Sequence, residues 1–141
     1  MLTLTSQYAL RALVYLAQHE KEWPIPGWHI AQQAGVPAKY LSKVLGDLVR
    51  FGVLESSPGR TGGFQLRRSP KATMLFDVLS PFERFDRRRC PFENKECSDE
   101  NPCQAHRAWK KVVDAEKRFL KGTSVHQASL PARKRGKAHA G

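Results

Sequence analysis

Three cysteines, Cys90, Cys97 and Cys103, stand in a C-x6-C-x5-C spacing within a polar stretch rich in turn formers: Pro91, Asn94, Ser98, Asp99, Asn101 and Pro102. A loop of that make-up lets thiols converge on one ion or cluster instead of packing into a core. An odd number of cysteines, in a chain whose N-terminus shows no charged region followed by a signal-like core, argues for metal or redox chemistry over a disulfide framework. Asn101 as N-cap and Pro102 as first helical residue predict a helix opening there. Ala105, Ala108, Trp109, Val112, Val113, Phe119 and Leu120 form its apolar stripe, and Gly122 stops it. Cys103 and His106 then share one face of the first turn, where exposed amides lower a thiol's pKa, and Arg87 to Arg89 lie close in sequence to the first thiol. Alone, His106 would read as a helix-cap residue; beside three thiols it is a candidate fourth ligand. Soft sulfur donors suit zinc and iron-sulfur clusters alike, and spacing does not separate the two. Cysteines that bind no metal are a third reading. His29, isolated in the first turn of another helix, reads as a surface or capping group.

The elements that must position this loop lie ahead of it. Ile30, Ala31 and Ala34 make a short apolar face that stops at Gly35, and Leu41, Val44, Leu45, Leu48 and Val49 make a second face after Pro37. Gly35 can adopt the left-handed conformation of a helix end and Pro37 presets the next start, which together describe a helix-turn-helix. The second helix, Ala38 to about Phe51, turns Lys39, Tyr40, Ser42, Lys43, Gly46 and Asp47 outward. Lys39, Ser42 and Lys43 can serve phosphates and base edges, and Tyr40 can stack or hydrogen-bond to a phosphate. The plain alternative is a solvated helix face. Val53 to Ser56 and Phe64 to Arg67 alternate like strands around the turn at Pro58 to Gly63, which makes a wing whose tip carries Arg60 and Thr61. Thr3 to Gln18 forms an apolar helix with Thr3 or Thr5 as cap and reads as core. Thr73 to Leu79 is short and apolar, placed to close the domain over the wing. The fold class is mainly α with a small two-stranded β wing.

Composition narrows the partner. The 24 Lys and Arg against 13 Asp and Glu give a net charge of +11, of which Arg133, Lys134, Arg135 and Lys137 supply four, so the body is still basic. That balance fits duplex DNA better than an acidic small substrate. At 141 residues the chain buries one modest core and completes it by pairing with a copy of itself. No apolar run is long enough to span a bilayer, and the chain is read as cytoplasmic. An enzyme or electron carrier built on Cys103 and His106 is a poor rival: neighbours on one turn are badly aimed at a shared substrate, and no oxyanion loop is visible. Three regions result: 1–80, a winged helix-turn-helix; 81–122, the cysteine loop and a long helix; and 123–141, a basic disordered tail.

The opening Leu4-Thr5-Ser6-Gln7-Tyr8-Ala9-Leu10-Arg11-Ala12-Leu13, the helix pair around Lys39-Tyr40-Leu41, the wing Gly59-Arg60-Thr61-Gly62-Gly63-Phe64 and the three-cysteine loop before a long helix together resemble the Rrf2 family of bacterial regulators, of the IscR and NsrR type. The resemblance implies a homodimeric winged-helix transcription factor with the long C-terminal helix as dimer seam. It also implies an iron-sulfur cluster in the loop that senses redox state, cluster supply or nitric oxide. Position by position, Cys90, Cys97 and Cys103 match the family's cluster cysteines, and His106 matches the fourth ligand of members holding a 2Fe-2S cluster. Members with a 4Fe-4S cluster can take an acid from the partner's first helix; here no acid precedes Glu20 and Tyr8 stands near the matching position, which favours 2Fe-2S. The first gap is one residue longer than is usual in the family. Ser42 replaces an acidic residue that narrows site choice in some members. The implied mechanism sends two recognition helices into successive major grooves, with the Arg60 wings alongside.

Overall fold

A computed structural model describes residues 2–85, 88, 91–92 and 98–132 of the chain. Helix α1 spans Leu4–Gln18, and of the two possible caps it is Thr3 that serves, its hydroxyl accepting the Ser6 amide at 3.2 Å. Ala9, Ala12, Leu13 and Leu16 are fully buried along one face, and α1 packs against nearly everything that follows. The Trp23 indole N–H donates to the Leu16 carbonyl at 2.8 Å and ties down the proline-flanked linker.

Helix α2 (Gly27–Ala34) ends at Gly35, whose φ of 67° is the left-handed conformation expected of it. Helix α3 (Ala38–Arg50) follows at once and buries Leu41, Val44, Leu45 and Leu48 against α1 and α2. Each such side chain contributes about 1.5–3 kcal/mol of burial. Strands β1 (Leu54–Ser57) and β2 (Gly63–Leu66) pair antiparallel with Leu54 opposite Leu66 and Ser57 opposite Gly63. Ile25 adds a short third rung: its N–H donates to the Phe64 carbonyl at 3.0 Å and its carbonyl accepts from the Phe64 N–H at 2.8 Å. The wing is thereby anchored to the linker before α2.

Three expectations are corrected. Helix α4 (Leu75–Leu79) has α5 and α1 as its principal neighbours, because Leu75, Val78 and Leu79 are drawn into the main core and not onto the wing. Helix α5 runs His106–Gly122, so it starts after Cys103 instead of at Pro102. Ala105 is the N-cap and no side chain caps the helix; Cys103 to Ala105 form a preceding turn, with the His106 N–H donating to the Cys103 carbonyl at 3.1 Å. Burial overrides the local Asn-Pro signal, since Cys103 sits inside the fold at 8% exposure. The expectation of a disordered tail from residue 123 also fails over its first residues. Val125–Ser129 form helix α6 with a capping box between Ser124 and Gln127; Val125 is fully buried, and the helix packs on α1. The chain from 133 onward lies outside the described residues.

Candidate nucleic-acid interface and cysteine centre

The outward side of α3 carries the candidate reading residues. Lys39, Tyr40, Ser42 and Lys43 are all exposed, Tyr40 at 63%. The Tyr40 ring meets Tyr8 of α1 edge-on at 6.2 Å, and the Arg11 guanidinium lies 5.9 Å from the Tyr8 ring centre. Tyr8 and Arg11 therefore extend the candidate surface onto α1, a contribution that the helix-turn-helix pattern alone does not reveal. Further along α3, Asp47 is ion-paired with Arg50, which draws that cation toward a side chain of its own helix.

The wing turn is set by glycine. A Cβ on Gly62 would lie 2.1 Å from the Ser57 carbonyl oxygen and 2.6 Å from that of Pro58, so only glycine fits this close backbone approach. The turn leaves Arg60 and Thr61 exposed at the tip. Among the candidate contacts, α3 groups four on one helix, and the wing presents the other two on a separate element.

Of the cysteine centre, Cys103 and His106 are described, while Cys90 and Cys97 lie outside the described residues. Cys103 is buried, and it sits ahead of α5 and not within its first turn. His106 Nε2 lies 2.7 Å from Asp99 Oδ1, and Lys110 Nζ reaches both oxygens of Asp99 at 3.0 and 3.1 Å. The imidazole first and the ammonium second hold the Asp99 carboxyl below its ordinary value. A carboxylate on one ring nitrogen is how metal-binding histidines are commonly oriented, and with the proton on Nε2 the lone pair is on Nδ1. Cys103 and His106 thus have the donor types of a soft-metal site and are joined by a backbone hydrogen bond. Among the described residues no three His, Cys, Asp or Glu side chains converge into a metal site.

A second polar centre escaped pattern reading altogether. The Glu83 side chain is completely buried, and Thr3 donates to its Oε2 from both backbone N–H (2.9 Å) and hydroxyl (2.7 Å), as does the Ser6 hydroxyl. Arg88, in the cysteine loop, donates to Glu83 Oε1 at 2.8 Å and pairs through its other terminal nitrogen with Glu116 of α5. Its guanidinium also lies 4.9 Å from the Phe85 ring centre. Burial pushes the Glu83 carboxyl up, but the hydrogen bonds from Ser6, Thr3 and Arg88 outweigh it and hold the group below its usual range. The charge of Arg88 is consequently committed to two carboxylates.

No helix among the described residues is long and apolar enough to cross a membrane. A family model described as Rrf2, iron-dependent transcriptional regulator, matches residues 2–129. A putative HTH-type transcriptional regulator of Aquifex aeolicus is 32% identical over 86% of this chain and 85% of its own. An HTH-type transcriptional regulator IscR of Xenorhabdus nematophila is 29% identical over 89% of this chain and 77% of its own. Among solved structures, T. potens IscR aligns with a TM-score of 0.72 at 22% identity, covering 91% of this chain and 85% of that one. The structure titled CymR, the global cysteine regulator of B. subtilis, aligns with a TM-score of 0.73 at 23% identity over 92% and 95%. These likenesses carry the mainly helical winged fold, with its two-stranded antiparallel sheet, and the sequence relationship carries the role. This chain belongs to the Rrf2 family and is a transcriptional regulator, not an enzyme.

Proposed function

We propose that two copies of this chain pair through α5 and grip a near-palindromic duplex, with Lys39, Tyr40, Ser42 and Lys43 of each α3 in a major groove and Arg60 and Thr61 alongside. We further propose that an iron-sulfur cluster, 2Fe-2S in preference to 4Fe-4S, is held by Cys90, Cys97, Cys103 and His106 and sets the affinity. The observation that carries the second part is local: Cys103 is buried one short turn before His106, whose ring is oriented by Asp99. When bound, such a group would supply redox-active iron held by these side chains, and its oxidation or loss would change how the loop is held. The chain's own residues do the rest: Asp99 orients the imidazole, and the loop joins reader to seam. Val112 and Phe119, exposed at 54% and 59% and two turns apart on α5, support the pairing surface. The affinity change requires that loaded and metal-free protein differ in their preference for DNA, because a ligand indifferent to conformation shifts nothing.

Anaerobic purification followed by iron and sulfide analysis tests the cluster. Coloured protein whose visible absorption disappears in Cys103→Ala, and whose affinity for its preferred duplex differs at least tenfold between loaded and metal-free forms, supports the reading. A colourless protein holding stoichiometric zinc would replace it with a structural site. No preferred duplex in either form would overturn the DNA-binding assignment.

A further inference from the structure

We propose that Arg88 is the positioning residue through which the cysteine loop acts on the reading helices. It rests on the cluster-controlled reading above. Arg88 stands two residues before Cys90 and is the point where three separate segments meet. One guanidinium nitrogen holds Glu83, whose other carboxylate oxygen takes the backbone N–H and hydroxyl of Thr3 and the hydroxyl of Ser6. Thr3 is the N-cap of α1, so the same carboxylate that binds Arg88 also fixes where α1 begins. The second nitrogen holds Glu116 on α5, the proposed pairing helix. Next along α1, Tyr8 touches Tyr40 on α3 and Arg11 stands beside it. A displacement passed along the chain to Arg88 therefore pulls on an ion pair whose carboxylate is completely buried and whose guanidinium is only 15% exposed.

Geometry makes arginine specific here. Its planar fork spans two carboxylates on different elements, a bridge that a lysine's single ammonium does not reproduce in the same way. Chain and charge at this position are used for tethering, and Arg88 is not itself one of the candidate ligands.

The test compares full-length protein, cluster-loaded and metal-free, as wild type, Arg88→Ala and Arg88→Lys. Because Arg88→Ala leaves Glu83 buried with one donor fewer, a double variant, Glu83→Gln with Arg88→Met, removes both charges together. Three readouts are taken: visible absorption of the loaded form, affinity for the preferred duplex in both forms, and hydrogen exchange of the Ser6 and Gln7 amides. The expected result is unchanged absorption and metal-free affinity within about twofold of wild type, with the loaded to metal-free affinity ratio falling from at least about tenfold to under about twofold. Exchange at Ser6 and Gln7 then no longer responds to loading, and Arg88→Lys falls between. A wild-type affinity ratio in both Arg88→Ala and the double variant overturns the role of Arg88 and leaves cluster control standing. Equal affinities of the two wild-type forms would instead overturn cluster control, and the coupling with it.

Discussion

Replacing Lys39, Lys43 and Arg60 together by alanine removes three exposed cations from each protomer without touching the residues that hold α3 or the wing. Helix α3 is held by Leu41, Val44, Leu45 and Leu48, and the wing by its own pairing and the Ile25 to Phe64 bridge. Surface changes of this kind move stability by about 0.5 kcal/mol or less, so the variant's unfolding midpoint should match wild type. Each phosphate neutralised contributes about 0.9 to the slope of log affinity against log salt, and two protomers with three contacts each contribute about 5. Between about 50 and 200 mM salt, wild type should therefore lose about a thousandfold more affinity than the variant does. Fluorescence anisotropy on the preferred duplex at four salt concentrations, with a scrambled duplex as control, measures the difference. A variant slope within about one unit of wild type would refute the assignment of these side chains to phosphates.

Gly62→Ala should open the wing turn, because its Cβ meets backbone oxygens of Ser57 and Pro58 that cannot swing aside. A loss of about 1–3 kcal/mol in urea unfolding, with affinity reduced at least as much as by Arg60→Ala, is expected; unaltered affinity would place the wing tip outside the interface. Glu83 supplies a pH dependence of defined sign. Its carboxyl lies low in the folded state, so its contribution is present above the unfolded value near pH 4.3 and is lost as pH falls through the folded value. Urea unfolding of wild type and Glu83→Gln from about pH 7 to about pH 3 should show the stability difference shrinking on acidification, and a constant difference would remove Glu83 from the linkage.

The parts legible in the sequence are those with short-range causes. Gly35 ends α2 and Pro37 precedes α3 because a left-handed glycine and a fixed φ act within one turn, and the periodic face of Leu41, Val44, Leu45 and Leu48 identifies its own buried side. The wing follows from alternation around a glycine-rich turn, and the Thr3 cap from its hydroxyl and position. The start of α5 differs from the sequence expectation because Asn101-Pro102 is a local signal, whereas Cys103 is buried by the tertiary fold, which that pattern does not encode. Helix α6 is not legible for a related reason: five residues make too weak a period, and the helix is held by packing on α1.

The sequence by itself determined the winged helix-turn-helix, its basic outer face, the three thiols with His106, and the family to which these motifs belong. Tertiary structure alone decided that α1 is the hub, that Asp99 orients His106, and that Arg88 joins Glu83 to Glu116. The reason lies in separation along the chain. Thr3 and Glu83 are 80 residues apart, and a buried carboxylate is tolerable only once distant donors have been folded against it.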